Sequence, residues 1–271
     1  MHDASPVRLP DKADICVRLD DLTLGYNNHP AVHHLGGSIA CGESLAVVGP
    51  NGSGKSTLIR CIAGLLRPRG GTCQVKPGLR IAWLPQASGI DRSFPARLRD
   101  LVALGLWPRR GLLGRHRAAD RHAVDAAISA VGLDGLAGRP IDSLSGGQFQ
   151  RALFARVVVQ DADLILLDEP FNAIDTRTVD DLLALIARWR GEGRTVVAVA
   201  HDLDLVRAHF PRALLLAREP VAWGPTAQVV TPANLARARQ FQAAWDEDAP
   251  WCAPGTHATT AVVPMAGRGA A

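Results

Sequence analysis

Hydrophobic and polar residues alternate at the start of the chain. Ile15, Val17 and Leu19 occupy every second position, and the alternation continues to Leu24 before it breaks at residues 26–28. A period of two is typical of strands with one buried face. The pattern therefore predicts a strand, a turn and a second strand, arranged as an antiparallel N-terminal unit.

A short apolar run follows at residues 44–48, and it leads into a glycine-rich loop and a helical stretch over residues 56–63. This order predicts one strand–loop–helix unit. Apolar runs at residues 79–84, 164–167 and 195–200 predict further strands. Each run is too short for a buried helix and is bounded by polar or turn-forming residues.

Helical spacing dominates the segment from about residue 93 to residue 160. Ser93 and Pro95 suit the start of a helix, and Val124, Ile128 and Val131 fall on one helical face. A second apolar stripe, at helical spacing, lies between residues 178 and 190. It consists of Val179, Leu182, Leu183, Ile186 and Trp189. The alternation of strands with helices predicts a parallel sheet.

These patterns set the expected domain boundaries. Residues 14–243 are predicted to form one folded domain, with the helical segment of about residues 90–160 inserted into it. Beyond it, residues 244–271 are rich in Ala, Gly, Pro and Thr without periodicity. Such a composition predicts a disordered C-terminal tail.

Composition narrows the class of protein. The 271 residues are 47% apolar and 21% charged, and 30 Lys and Arg against 26 Asp and Glu give a net charge of +4. This excludes bulk disorder and a coiled coil. No apolar run approaches the roughly 18 residues that span a bilayer, and charges among the first twenty residues argue against a secretion signal. Five cysteines without a C-x-x-C pair favour reduced thiols in a cytosolic protein.

The loop after residues 44–48 matches the pattern G-x-x-x-x-G-K-[ST], and a predicted strand and helix flank it as this motif requires. Its glycines let backbone N–H groups face phosphate oxygens, its lysine adds positive charge, and its final hydroxyl can ligate magnesium. The loop consists of Gly49, Pro50, Asn51, Gly52, Ser53, Gly54, Lys55 and Ser56. By itself it fits a kinase, a GTPase, a helicase-like ATPase or a transporter ATPase.

Polar residues follow two of the predicted strands. Asp168 and Glu169 come directly after residues 164–167, and His201 follows residues 195–200. Open α/β sheets bind ligands at the carboxyl ends of their strands. We therefore expect Asp168 to face Mg²⁺, Glu169 to face an attacking water and His201 to face the terminal phosphate.

A second anion-binding helix start is predicted at residues 144–148. Ser145 suits the N-cap, and the two glycines after it leave backbone N–H groups unobstructed. The helix continues to Arg156. The chain thus carries two helix ends of the kind that bind phosphate.

Taken together, these motifs resemble those of the ATP-binding cassette (ABC) ATPases, over residues 15–241. The matches follow the order of that family: an A-loop aromatic, the Walker A loop, the Q-loop glutamine, the LSGGQ signature, Walker B, the D-loop aspartate and the switch histidine. In this chain they are Tyr26, residues 49–56, Gln86, residues 144–148, residues 164–169, Asp175 and His201.

The resemblance implies an α/β fold, namely an ABC-type P-loop ATPase with a parallel-sheet core, an N-terminal antiparallel β-subdomain and an α-helical subdomain. It implies ATP and Mg²⁺ as cofactors. Catalysis is expected from Glu169, His201 and Gln86, and Mg²⁺ is expected at Ser56, Gln86 and Asp168. The expected nucleotide-binding residues are residues 49–56 together with Thr57, Tyr26, Ser145, Gly147 and Asp175.

The same resemblance implies partners and a location. The ATPase is expected to form a head-to-tail, ATP-dependent homodimer, in which Ser145 and Gly147 of one subunit complete the site of the other. It is expected to drive integral membrane permease subunits from the cytoplasmic face of the inner membrane. A periplasmic or extracellular substrate-binding protein would take part indirectly, and no nucleic-acid partner is expected.

A narrower resemblance points to ATPase subunits of zinc and manganese importers, zinc in particular. It is carried by residues 104–117, 160–163, 171–175 and 221–225. Importers of ferric siderophores and haem are similar in the first of these stretches, and they stay open as alternatives. Residues 171–174 depart from the Ser-Ala-Leu or Thr-Gly-Leu that commonly precedes the D-loop aspartate.

His29, His33 and His34 lie close together in sequence, but no cysteine has a spacing suited to a shared metal site. We interpret them as loop residues.

Two other functions stay open at this stage. The basic character of the chain gives some support to a soluble ABC protein acting on nucleic acid, the ribosome or a cluster-assembly scaffold. Only one cassette is present, however, and no long coiled coil separates its halves. A P-loop kinase acting on a small acceptor would have no use for residues 144–148.

Overall fold

The computed structural model describes residues 15–26, 29–111, 117–172 and 174–243. The predicted turn at residues 27 and 28 and the predicted tail at residues 244–271 lie outside the described residues, as does residue 14.

Nine strands and nine helices are described. The strands are β1 (Ile15–Tyr26), β2 (His29–Ala40), β3 (Ser44–Val48), β4 (Gly70–Val75), β5 (Ile81–Leu84), β6 (Leu164–Asp168), β7 (Thr195–Val199), β8 (Arg212–Ala217) and β9 (Glu219–Pro225). The helices are α1 (Lys55–Ile62), α2 (Leu98–Ala103), α3 (Trp107–Arg110), α4 (Ala118–Ala130), α5 (Gly146–Gln160), α6 (Thr176–Gly191), α7 (Leu203–His209), α8 (Thr226–Val229) and α9 (Pro232–Ala243).

The N-terminal strands form an antiparallel sheet in the order β2-β1-β4. Val17 pairs with Ile39 and Leu19 with Gly37, and the register shifts between Leu19 and Leu22. The sequence alternation places Val17, Leu19 and Leu22 on the buried face. The predicted antiparallel unit is therefore confirmed, with β4 as a third strand.

The second sheet has six strands in the order β5-β6-β7-β3-β8-β9. The first five are parallel, and β9 pairs antiparallel with β8. This confirms the predicted parallel sheet. The β8–β9 hairpin was not predicted. The sequence analysis inferred the sheet from strands that alternate with helices, and no helix lies between β8 and β9.

The six-stranded sheet separates two hydrophobic cores. Leu164 and Leu166 of β6 face the N-terminal sheet and α1, whereas Ile165 and Leu167 face the helices on the other side. All four are essentially inaccessible to solvent. Burial of a side chain of this size contributes about 1.5–3 kcal/mol, so both faces of the sheet are strongly held.

The helical segment begins later than the sequence predicted. Ser93 does not cap a helix: its N–H and its hydroxyl both donate to Oδ1 of Asp91, at 2.9 and 2.7 Å, and close a local turn. Helix α2 begins at Leu98, where the Arg97 N–H donates to Asp100 Oδ2 at 3.0 Å. The prediction at Ser93 and Pro95 was wrong because an aspartate two residues earlier competes for the serine.

The longest helices pack as their apolar stripes predict. Val124 and Ile128 of α4 are buried, and Trp189 of α6 stacks on Phe154 of α5 with ring centroids 6.1 Å apart. Helix α5 contacts the six-stranded sheet at β5, and it also packs against α2, α4 and α6. It thus joins the helical segment to the sheet.

The described cysteines Cys16, Cys41, Cys61 and Cys73 are free thiols. Burial raises the pKa of Cys16 to about 11. That thiol is therefore protonated at neutral pH. Cys252 lies outside the described residues.

Parallel pairing places the carboxyl ends of β3, β5, β6 and β7 along one edge of the sheet. The loops that leave this edge carry residues 49–54, Gln86, Glu169 and His201. The topology thus gathers residues from four distant parts of the chain.

Candidate functional site

The glycine-rich loop between β3 and α1 depends on close backbone approach. Gly54 immediately precedes α1 with a φ of +92°, and a Cβ added there would lie 2.3 Å from the carbonyl oxygen of Ala31. L-residues rarely adopt this conformation, and the carbonyl leaves no room for a side chain. Glycine at this position lets the loop lie against β2 and turn into the helix.

Lys55, the first residue of α1, folds over this loop. Its Nζ donates to the carbonyl oxygens of Gly49 and Pro50 at 2.9 and 2.8 Å. Burial lowers the pKa of Lys55, and the nearby Glu169 and Asp168 oppose that shift. A buried ammonium group inside a ring of backbone groups is a suitable partner for a phosphate.

Ser56 and Asp168 join the loop to the end of β6. The Ser56 hydroxyl donates to Asp168 Oδ1 at 2.8 Å. Burial raises the pKa of Asp168, as does the neighbouring Glu169, whereas the Ser56 hydrogen bond, Arg60 and Lys55 lower it. A hydroxyl and a buried carboxylate are hard oxygen donors of the kind that Mg²⁺ prefers, so these residues fit such an ion.

Glu169 is the centre of a second set of contacts. Gln86 Nε2 donates to Oε2 at 2.7 Å, and His201 Nε2 lies 2.7 Å from Oε1. Glu169 has a φ of +51°, so the chain leaves the strand direction directly after Asp168. The alternation of side chains along β6 therefore ends at Asp168. The direction of the Glu169 side chain is set by the turn that follows the strand.

Tyr26 ends β1 beside the helix that follows the loop. Its hydroxyl accepts a hydrogen bond from Arg60 Nη1 of α1 at 3.3 Å, and its ring is 42% exposed. An exposed aromatic face next to a phosphate loop can stack on a nucleobase.

The second helix start is built as the sequence predicts. Ser145 Oγ accepts from the Gln148 N–H at 3.2 Å, and Gln148 Oε1 accepts from the Ser145 N–H at 3.0 Å. This reciprocal pair is a capping box. It fixes the first turn of α5. Because Gly146 and Gly147 have no side chains, nothing on these residues shields their backbone N–H groups.

Asp175 lies against this helix start. It caps α6 by accepting from the backbone N–H and the hydroxyl of Thr178, at 3.0 and 2.8 Å, and these hydrogen bonds lower the pKa of its carboxyl. A Cβ added to Gly147 would lie 3.2 Å from Asp175 Oδ2. The absence of a side chain at Gly147 thus lets the ends of α5 and α6 meet closely.

Comparison with known proteins identifies the family. The sequence profile described as ABC transporter matches residues 32–172, more than half of the chain. This chain belongs to the ABC transporter family. As a member it is an ATP-binding subunit with ATPase activity.

Two relatives extend the match beyond the profile. The ABC protein is 37% identical over 225 residues to the manganese transport system ATP-binding protein MntB of Bacillus subtilis, covering 81% of this chain and 90% of MntB. It is 38% identical over 228 residues to the zinc transport system ATP-binding protein TroB of Treponema pallidum, covering 82% of this chain and 86% of TroB.

A solved structure gives the same result for the fold. The inward-facing ABC transporter described as being of the metal-chelate type is 30% identical, with a TM-score of 0.76, and the match covers 84% of this chain and 90% of that one. Among the described residues of the ABC protein, no helix is long and apolar enough to cross a membrane.

The predicted site residues of the ABC protein form two groups. The first group surrounds the phosphate loop and Glu169, and it comprises Tyr26, residues 49–57, Gln86, Asp168, Glu169 and His201. The second group comprises Ser145, Gly147 and Asp175. The hydrogen bonds of these residues described above each involve members of one group only.

Several residues that contact the site were missed by the sequence analysis. Gln150 Nε2 donates to the buried carbonyl of Pro170 at 2.7 Å, and Asn172 Nδ2 donates to Glu169 Oε2 at 3.1 Å. Arg92 donates to the carbonyl of Leu144 and stacks on the Phe149 ring, 4.7 Å from its centroid. A signal existed for Gln150, which is a polar residue on the otherwise apolar buried face of α5.

The interpretation of the clustered histidines was wrong. His29, His33 and His34 lie on strand β2, because β2 pairs with β1 along its whole length. His33 is buried, and burial lowers its pKa to about 4. In the described ranges, no three His, Cys, Asp or Glu side chains are grouped so as to hold a metal ion.

Proposed function

We propose that this chain is the ATP-hydrolysing subunit of an importer for a transition-metal ion, zinc in particular, acting through a separate membrane permease. The observation that carries this proposal is the identity of 37% and 38% to manganese and zinc transport ATP-binding proteins over more than four fifths of the chain. The choice of zinc rests on the resemblance at residues 104–117 and 171–175.

ATP is proposed to bind along the first group of residues. Backbone N–H groups of the loop would hold the phosphates at the start of α1, and the Lys55 ammonium would exchange its loop carbonyls for phosphate oxygens. The exposed Tyr26 ring would stack on adenine. The proposed nucleotide-binding set is Tyr26, Gly49, Pro50, Asn51, Gly52, Ser53, Gly54, Lys55, Ser56 and Thr57.

Mg²⁺ is proposed to be held by Ser56, Asp168 and Gln86. Because burial raises the pKa of Asp168, a cation beside it would stabilise the ionised carboxylate. When bound, the ion would neutralise charge on the phosphate oxygens.

Glu169 is proposed to act as the general base. A water oxygen forms a bond to the terminal phosphorus while the bond from that phosphorus to the bridging oxygen breaks, and its electron pair leaves with ADP. The water proton passes to the Glu169 carboxylate. His201 would donate to the terminal phosphoryl group that water attacks, and Gln86 would position the water and the ion. Both lie on the Glu169 carboxylate already, within 2.7 Å.

The second group is proposed to serve a second copy of the chain. Ser145 and Gly147 lie at a helix start suited to phosphate, but Ser145 bonds to Gln148 of its own helix and Gly147 lies beside Asp175 and Thr178. In a head-to-tail dimer, Ser145 and Gly147 would complete the site of the partner, and Asp175 would lie at the interface. One chain would then contribute to two sites.

The helical segment is proposed to bind the permease at the cytoplasmic face of the membrane. Phe94 and Trp107 are 66% and 48% exposed, and both follow Gln86 in sequence. We accordingly assign residues 14–243 to one ATPase domain with a helical subdomain of about residues 90–160. A substrate-binding protein would deliver the metal to the permease.

The test is metal accumulation in the source cell. Lys55→Ala, which removes the phosphate-binding ammonium, should abolish zinc uptake during zinc starvation when other zinc importers are deleted. Lys76→Ala, an exposed lysine near the end of β4, is the matched control and should leave uptake unchanged. Loss of manganese or iron accumulation instead of zinc would show that the proposed metal is wrong and that the other metal is the substrate. Unchanged accumulation of all three would contradict a role in metal import.

A further inference from the structure

Asn172 holds Glu169 at two points. Its backbone N–H donates to the Glu169 carbonyl at 3.3 Å, and its side-chain Nδ2 donates to the Glu169 Oε2 at 3.1 Å. A carboxylate only accepts hydrogen bonds, so the amide nitrogen, and not the amide oxygen, faces it. One residue thus fixes both the turn and the side chain of Glu169.

This turn has a conformation that needs such support. Glu169 has a φ of +51°, which is unfavourable for a residue with a Cβ. The next residue, Pro170, has its carbonyl held by the buried Gln150 amide at 2.7 Å. Two hydrogen bonds therefore hold the backbone of this turn, and Asn172 is the residue that also contacts the Glu169 carboxylate.

The other two partners of the carboxylate come from elsewhere in the chain. Gln86 follows β5 and His201 follows β7, and the proposed function assigns both of them to the bound nucleotide, ion or water. A donor that turns to the nucleotide gives up its hydrogen bond to Glu169. Asn172 lies three residues after Glu169 on the same turn, so it moves with the carboxylate.

We propose that Asn172 is a positioning residue for hydrolysis: its amide holds Oε2 of Glu169, so that Oε1 is presented to the attacking water. This inference rests on the proposed function, since it requires Glu169 to be the base. It also gives a role to residues 171–174, where the sequence departs from the commoner family pattern. Asn172 is one of the residues that differ there, and its side chain contacts the carboxylate.

The test compares three purified variants in a steady-state ATPase assay. Asn172→Leu removes the donor at similar size, and Asn172→Asp replaces it with a repelling oxygen. The matched control is Asn234→Leu in α9, which removes an amide that donates to the carbonyls of Gln228 and Val229 in α8, at 3.1 and 3.0 Å. Asn172 is exposed, so its variants should fold, and thermal unfolding checks this directly.

Both Asn172 variants should lower kcat by about tenfold to a hundredfold, the equivalent of losing one hydrogen bond to a charged group, with KM for ATP within about twofold of wild type. Asn234→Leu should keep the wild-type kcat, because its amide supports only local structure. A folded Asn172→Leu protein with wild-type kcat would overturn the inference.

A fourth variant separates this inference from the proposed function. Glu169→Gln should lose at least about a hundredfold in turnover, and adding Asn172→Leu to it should not lower the residual turnover further. If Glu169→Gln is inactive while Asn172→Leu is fully active, only the inference fails. If Glu169→Gln retains wild-type turnover, Glu169 is not the base and both fail.

Discussion

The Ser56 hydroxyl donates a 2.8 Å hydrogen bond to Asp168 Oδ1, although 112 residues separate them in sequence. This contact joins the start of α1 to the end of β6. It brings two of the three predicted Mg²⁺ ligands together. At the proposed ion site, these two oxygen ligands are therefore already adjacent because of how β3 and β6 are placed in the sheet.

Removing one of these oxygens should weaken the binding of magnesium. Ser56→Ala is expected to raise the Mg²⁺ concentration for half-maximal ATPase activity by at least about tenfold, because a donor in contact with the ion is lost. Ser129→Ala is the matched control, since Ser129 makes the same kind of hydrogen bond to Asp134 in the helical segment. An unchanged Mg²⁺ titration for Ser56→Ala would contradict the assigned ion site.

Changing the Glu169 carboxylate to an amide should separate binding from turnover. Glu169→Gln is expected to bind ATP but to lose at least about a hundredfold in turnover, because an amide does not accept the water proton. Gel filtration with ATP should then show a trapped dimer. Asp180→Asn makes the same chemical change at an exposed site on α6 and should behave as wild type. A Glu169→Gln protein that stays monomeric with ATP would argue against the head-to-tail dimer.

The loop glycines should differ in their tolerance of a side chain. Gly54→Ala is expected to lower the free energy of unfolding by about 3 kcal/mol or more, since both the positive φ and the contact with the Ala31 carbonyl are unfavourable. Gly52 also has a positive φ, of +75°, but a Cβ there meets nothing within 4 Å. Gly52→Ala should therefore cost only about 1–2 kcal/mol. Urea unfolding measures both, and equal losses would contradict this packing argument.

Stability should fall in mild acid because of His33. Burial is the largest cause of its lowered pKa, followed by the charges of His34 and Arg218. Between its ordinary value near 6.5 and the folded value of about 4, the unfolded chain binds a proton that the folded chain does not. Stability is thus complete above about pH 6.5 and declines as the pH falls toward about 4, by about 2 kcal/mol from pH 7.5 to pH 5.

His33→Gln tests this expectation, since glutamine does not titrate. The variant should show a flatter decline of unfolding free energy between pH 7.5 and pH 5 than wild type, by about the same 2 kcal/mol. His122→Gln, at an exposed position on α4, is the control and should keep the wild-type slope. Identical slopes for wild type and His33→Gln would show that His33 takes up its proton without a cost in stability.

Local signals predicted the parts of the site that one stretch of chain builds by itself. The loop before Lys55, the capped helix at Ser145 and the carboxylates after residues 164–167 each follow from neighbouring residues. Because parallel strands end at a common edge, the sequence also placed His201 near Asp168. The sequence did not predict the contacts between loops. The approach of Gln86 and His201 to opposite oxygens of Glu169 depends on side-chain geometry in three loops from different strands.

The errors have similar causes. Ser93 was expected to begin a helix, but Asp91 takes its N–H and hydroxyl. The histidines near residue 33 were expected in a loop. Strand β2 buries His33 as a neutral side chain, leaves His34 partly exposed and leaves His29 exposed, an outcome decided by pairing with β1. Competition among polar partners and burial of a neutral histidine both depend on tertiary contacts.

The separation of the core by the six-stranded sheet bears on how this sequence can vary. Leu166 and Leu167 are adjacent in the chain, yet they belong to different cores. A volume lost at one of them cannot be restored by its neighbour in sequence. Compensating substitutions among relatives should therefore join positions of one face, such as Leu166 with Leu164, and evolutionary covariation along β6 should skip every second residue.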